Sequence, residues 1–271
     1  MIAGIDHVAA LGSSFAAGPG IEPLADRAAG RSARNYPHLL AERLGARLTD
    51  LTVSGATTAT LLDTPQRRSR RRFPPQLDGL PSDVDLVTVT AGGNDLGYIG
   101  GMVRLGLAGR LSARPWSRPL GAVLARQGVA DPGPEAVGRA AAGLVRVVEA
   151  VRLRAPGALV VLVDYPVLIG PDTHHCPQTP FDPATLEGLR RVGERVAQVF
   201  ATAAERSGAT LVPMAERSRP HALGSADPWV TGLPDRLRDL QGAAPFHPNA
   251  AGMRAIADAV HERLSATLSS P

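Results

Sequence analysis

The sequence predicts an α/β protein: one parallel sheet of five strands, with helices on both faces. Three observations carry this. Short apolar or β-branched runs alternate with longer segments of helical periodicity from one end of the chain to the other. The short runs are close to continuously apolar, as in strands covered on both faces. With 271 residues, 44% of them hydrophobic, and no internal repeat, the chain can bury a sizeable core and reads as one domain over residues 1–271.

The elements run in order along the chain. Residues 6–12 (DHVAALG) read as a short buried strand and 35–45 (NYPHLLAERLG) as a helix stopped by Gly45. Residues 46–53 form the second strand and 84–92 (VDLVTVTAG) the third. A long helix is expected over 134–154, a fourth strand over 158–166, and a helix over 183–208 ended by Gly208. The fifth strand covers 209–214, and a closing helix 249–268. Two long irregular stretches, 64–83 and 215–246, interrupt the alternation and read as functional or surface loops.

Composition excludes several classes. All 29 basic residues are arginine and the net charge is only +4. The sequence pI of about 10.1 reflects the absence of lysine more than a large positive excess, so no nucleic-acid partner is expected. The one cysteine, Cys176, excludes an intrachain disulfide. No run of 18 or more residues is apolar enough to span a bilayer, so no stable membrane insertion is expected. Residues 1–12 lack the features of a signal peptide, which points to the cytoplasm, or to secretion if a leader has been trimmed. The oligomeric state is open.

Ligands of such sheets bind beyond the carboxyl ends of the strands. The residues just after each strand are therefore informative. After the first come Gly12, Ser13 and Ser14; after the second, Ser54 to Thr57; after the third, Gly92, Gly93, Asn94 and Asp95. His247 lies in PFHPNAAG, ahead of the last helix. A serine, a glycine amide, an asparagine amide and a histidine can converge on one edge. Those are the parts of acyl transfer: a hydroxyl that attacks, an imidazole that takes its proton, and N–H donors for the oxyanion.

Four blocks in order, GSSFAAG, SGAT, GGND and HPN, span residues 12–249. In them the chain resembles the SGNH (GDSL-type) hydrolases, and within these an actinobacterial lipase/esterase-like branch. The resemblance implies a flavodoxin-like three-layer α/β/α sandwich and a serine hydrolase that cleaves carboxylic esters through an acyl-enzyme. It implies Ser14 as nucleophile and His247 as base. It also implies oxyanion donors from the backbone N–H of Ser14 and of Gly55 and from the Asn94 side-chain amide, with neither cofactor nor metal. The substrate would be a small-molecule or lipid ester. No G-x-S-x-G occurs, so the α/β-hydrolase elbow is not the template.

The chain departs from the pattern twice. Ser13 stands where the family usually has Asp. Ala244 stands three residues before His247, where Asp is common, and no carboxylate lies between Asp239 and His247. The carbonyl of Ala244 or Pro245 is the favoured partner for the imidazole, giving a Ser–His dyad; Asp227 or Asp239 folding back is the other possibility.

Other features take plain readings. THHCP (173–177) lacks the spacing of a zinc site and reads as a loop. RRSRRR (67–72) reads as a solvated loop, or more sharply as a patch for anionic lipid or an acidic acyl substrate. Trp116, Trp229 and Tyr98 are candidates to line an acyl pocket, Trp229 ahead of Trp116. The competing function is a non-catalytic acyl- or sugar-binding domain with a decayed site.

Overall fold

The structure is a computed structural model that describes residues 4–240 and 242–268. The chain opens with β1 (His7–Gly12), α1 (Ser14–Ala17), the short hairpin of β2 (Leu24–Asp26) and β3 (Arg31–Ser32), and α2 (Tyr36–Leu44). Next come β4 (Arg47–Asp50), α3 (Thr58–Leu62), a second hairpin of β5 (Gln66–Arg68) and β6 (Arg71–Phe73), and β7 (Leu86–Thr90). Then come α4 (Tyr98–Ser112), α5 (Arg118–Ala125), α6 (Pro134–Arg154), β8 (Leu159–Val163) and α7 (Pro183–Ser207). The chain closes with β9 (Thr210–Val212), α8 (Met214–Arg217) and α9 (Ala250–Leu268).

The main sheet has five parallel strands in the order β4-β1-β7-β8-β9. Successive side chains leave opposite faces of each strand. Ala9, Leu11, Val87, Val89, Val160 and Leu162 therefore join one core cluster, and Val8, Leu86, Val161 and Val163 the other. Helices α3, α6 and α7 cover the first face, and α2 and α9 the second. On α6, Val137, Ala141, Leu144, Val148 and Val151 recur at spacings of three and four and are all buried. Each such valine or leucine stabilises the fold by roughly 1.5–3 kcal/mol. The expected layered α/β architecture is the one observed.

The sheet changes its direction of growth at β1. Strand β4 is added on one side, and β7, β8 and β9 on the other. That switch opens a crevice beyond the carboxyl ends of β1 and β7. Gly12 lets the backbone pass close to β7, since a Cβ there would lie 2.6 Å from the Thr90 carbonyl oxygen. The buried Gln76 side chain holds both backbone groups of Gly12, at 2.8 and 3.0 Å.

The irregular stretches contain more order than the sequence suggests. Residues 64–83 hold the β5–β6 hairpin, with Ser69 at its tip in the left-handed region. Residues 215–246 include most of α8 and two short 3₁₀ turns. Helices α4 and α5, which periodicity does not reveal, fill the span before α6.

Candidate active site

Ser14 opens α1 directly after β1, so its backbone N–H precedes the first intrahelical bond. Ser13 and Ser14 are both buried but face different partners. Ser13 Oγ lies 2.7 Å from the Tyr165 hydroxyl. Ser14 Oγ lies 2.8 Å from His247 Nε2. His247 Nδ1 lies 2.9 Å from the Pro245 carbonyl oxygen. A carbonyl only accepts, so Nδ1 carries the hydrogen and Nε2 offers its lone pair to the Ser14 hydroxyl. Burial pushes the His247 pKa down to about 4, with the Pro245 and Ala244 carbonyls pulling the other way.

The segment carrying His247 is braced at several points. Thr231 N donates to the His247 carbonyl, and Phe246 N donates to the Thr231 carbonyl. Thr231 Oγ1 donates to the Ala244 carbonyl at 2.8 Å. Phe246 adopts φ +61°, unusual for a bulky residue, with its side chain fully buried beside Phe181. This turn aims the Pro245 carbonyl at Nδ1. The Asp227 carboxylate lies 3.5 Å from His221 Nδ1, and that of Asp239 lies 3.7 Å from Arg238 Nε. Neither hydrogen-bonds His247 among the described residues.

The loops after β4 and β7 are tied together. Asn94 Nδ2 donates one hydrogen to the Ala56 carbonyl at 2.8 Å, leaving the other free to point elsewhere. Asp95 accepts from the Thr58 hydroxyl at 2.6 Å and from its N–H at 3.2 Å. Burial raises the Asp95 pKa, opposed by these Thr58 bonds. Gly55 sits at φ +86°, which an L side chain rarely adopts, and Gln66 Nε2 holds the neighbouring Ser54 carbonyl. Among the described residues, the N–H groups of Ser14 and Gly55 find no acceptor.

A profile of the GDSL-like lipase/acylhydrolase family matches residues 10–255. Lipase 2 of Streptomyces coelicolor is 33% identical over 264 residues, covering 94% of this chain and 84% of its own. The chain belongs to the GDSL-like lipase/acylhydrolase family. Two solved structures share the fold. Phospholipase A1 from Streptomyces albidoflavus superposes with a TM-score of 0.70 at 22% identity, over 96% of this chain and 100% of that one. The extracellular lipase from Streptomyces rimosus gives 0.68 at 24% identity, over 95% and 99%. As a GDSL-like enzyme the chain is a carboxylic ester hydrolase, and the reading as a non-catalytic binding domain gives way. Its substrates are small-molecule esters. Among the described residues no helix is long and apolar enough to cross a membrane.

Other candidates of this GDSL-like chain fall in various places. Tyr98 lines a cavity of about 410 Å³ with Tyr165, Val167, Ile169 and Val196. That cavity lies on Tyr165, and neither Ser14 nor His247 is in its wall. Trp229 stacks on His221 with ring centroids 3.8 Å apart, and it is not among the residues lining the described cavities. Trp116 lines a separate cleft beside α4. His174 and His175 turn Nδ1 to the carbonyls of Asp172 and Phe181. Within RRSRRR, Arg68 binds the Ala28 carbonyl at 2.5 Å and Arg71 pairs with Asp26 at 3.2 Å, so part of the run is structural.

Sequence reasoning misses the parts played by Tyr165, Phe15, Gln76 and Phe246. Tyr165 stacks on Phe15 at 4.0 Å, and Phe15 touches the His247 ring at 5.2 Å. The available signal for Tyr165 is its position just after β8, on the same edge as Ser14 and Asn94.

Proposed function

We propose that this esterase works through a Ser14–His247 dyad and a covalent acyl-enzyme. The observation that carries the reading is the buried 2.8 Å contact between Ser14 Oγ and His247 Nε2, with Nδ1–H given to a carbonyl. His247 Nε2 takes the hydroxyl proton as Ser14 Oγ attacks the ester carbonyl carbon. The resulting oxyanion is met by the N–H groups of Ser14 and Gly55 and by the Asn94 amide. As the tetrahedral intermediate collapses, the carbon–oxygen bond to the alcohol breaks and His247 returns the proton to the leaving alkoxide. Water, deprotonated by the same imidazole, then releases the acid. The Pro245 carbonyl fixes the tautomer, the task that Asp performs in a triad.

The test uses p-nitrophenyl esters of increasing acyl length. Ser14→Ala is expected to remove essentially all turnover and all labelling by a phosphonate ester. Asp227→Asn and Asp239→Asn are each expected to stay within about ten-fold of the parent, because a true triad Asp changed to Asn costs on the order of 10⁴-fold. A folded Asp→Asn variant that loses about 10³-fold would identify a third member and end the dyad reading.

A further inference from the structure

Helix α5 and the turn before it carry three of the four large hydrophobic side chains that stand exposed among the described residues. These are Trp116 at 76%, Leu120 at 55% and Val123 at 54%. Positions 116, 120 and 123 are spaced by four and three, so Leu120 and Val123 share one helix face and Trp116 precedes it in line. The opposite face of α5 packs on α4 through Gly121, where a Cβ would lie 2.8 Å from the Ala108 carbonyl oxygen. Arg104 fastens the end of the helix to α4 through the Leu124 and Gly128 carbonyls. The apolar stripe therefore sits on a braced support and faces outward.

Positive charge dominates around the stripe. Between Asp95 and Asp131 the chain has no acidic residue and five arginines. Arg114, Arg118 and Arg126 are exposed on or beside α5, and Arg114 lies over the Trp116 ring at 5.9 Å. Next to Trp116 opens a cleft of about 480 Å³ lined by Arg110, Arg114, Arg236 and Arg238; Asp239 lies 3.7 Å from Arg238 Nε, and the wall itself holds a single carboxylate, Asp235. That carboxylate is already engaged, since Gln178 Nε2 donates to it at 2.7 Å.

We propose that this surface docks the enzyme on an anionic lipid bilayer. Lipid headgroups bearing phosphate would meet the arginine cleft, and Trp116, Leu120 and Val123 would enter the interface between headgroups and acyl chains. A short helix with an apolar stripe, a tryptophan at its edge and arginine alone as its charge suits that boundary. A protein partner would need an acidic apolar groove of matching shape, whereas an anionic bilayer supplies both features without one. The surface is also coupled to the segment carrying His247. Arg110 donates to the carbonyls of Pro234 and Asp235, and the Gly106 face of α4 packs on Leu233 and Phe246.

The test is co-sedimentation of the whole chain with vesicles of phosphatidylglycerol mixed into phosphatidylcholine, against pure phosphatidylcholine, at two salt concentrations. Binding is expected to the anionic vesicles, about ten-fold or more weaker to neutral ones, and reduced by salt. Trp116→Ser, Leu120→Ser and Val123→Ser combined should weaken binding by about ten-fold or more. Arg114→Gln, Arg118→Gln and Arg126→Gln combined should lower the anionic preference by about ten-fold or more. Both sets should keep the parent melting temperature and the parent turnover of a water-soluble short-chain ester. Absence of parent binding to anionic vesicles overturns the proposal, as does binding that survives both sets. So does a dimer in solution that the serine set disperses while vesicles are ignored, because a second copy would then own the face.

Discussion

At the residue scale the site turns on which atom faces which. Two adjacent serines follow β1, and only Ser14 reaches the imidazole, while Ser13 is turned to Tyr165. Asn94 is held at one hydrogen by the Ala56 carbonyl, so its amide is set before any charge develops. Asn94→Ala is therefore expected to lower kcat by roughly 10²–10³-fold with KM nearly unchanged. A rise in KM alone would make it a binding residue. Buried His247, with its pKa held down to about 4, stays neutral well below the ordinary histidine range. The acid limb of kcat/KM should accordingly fall near pH 4 to 5 instead of near 6.5. A limb at 6.5 or above in a pH series on a soluble ester would contradict this. The four blocks showed these residues in the chain, but Ala244 left the orienting group open between two carbonyls and two carboxylates. The choice of Pro245 depends on Phe246 taking a left-handed backbone conformation, which nothing in the sequence around it signals.

At the element scale, what was legible was what periodicity alone determines. The helix read over 134–154 is α6 to the residue, and the strands of the sheet agree to within a few residues at their ends. Helix α4 escapes a reading of the sequence for a physical reason. Four glycines in fifteen residues argue against a helix, each costing about 1 kcal/mol relative to alanine. Two of them are there for contacts made only in three dimensions. A Cβ on Gly109 would lie 1.9 Å from the Pro180 carbonyl oxygen, and one on Gly106 would press on Leu233 and Phe246. Packing thus overrides propensity, and a pattern read along one segment has no access to Pro180. The contrast predicts opposite effects for the same substitution. In α6, Gly138 is exposed with open space around its Cβ, so Gly138→Ala should raise stability by about 0.5–1 kcal/mol. Gly109→Ala gains the same propensity but must displace backbone, and should lower stability by about 1–3 kcal/mol. Denaturant melts of the two variants decide it, and destabilisation by both would mean that α6 is less accommodating than its open surface suggests.

At the scale of the whole molecule, the sheet edge that gathers the site also buries charge-bearing groups that the chemistry does not use. Asp164 ends up just beyond β8, 3% exposed, with one carboxyl oxygen accepting from Ala215 N at the start of α8. Burial raises its pKa from 3.8 to about 7, against the pull of the Ala215 and Met214 amides. Between those two values the native carboxyl holds a proton that the unfolded chain has lost. Stability from this group is then complete below about pH 4 and declines as pH rises through about 7. His247 acts in the other direction. Its pKa is about 4 in the native state against 6.5 unfolded, so its contribution is complete above 6.5 and is lost as pH falls toward 4. The two slopes oppose each other across the acidic range and flatten the stability of the parent there. Asp164→Asn keeps an oxygen for the Ala215 amide and removes the ionisation. The variant should match the parent near pH 4, exceed it by on the order of 1–3 kcal/mol at pH 8, and gain stability more steeply between. Urea unfolding at several pH values measures this directly. An Asn variant less stable than the parent at pH 8 would mean that the ionised carboxylate supports α8, and that burial does not set its titration.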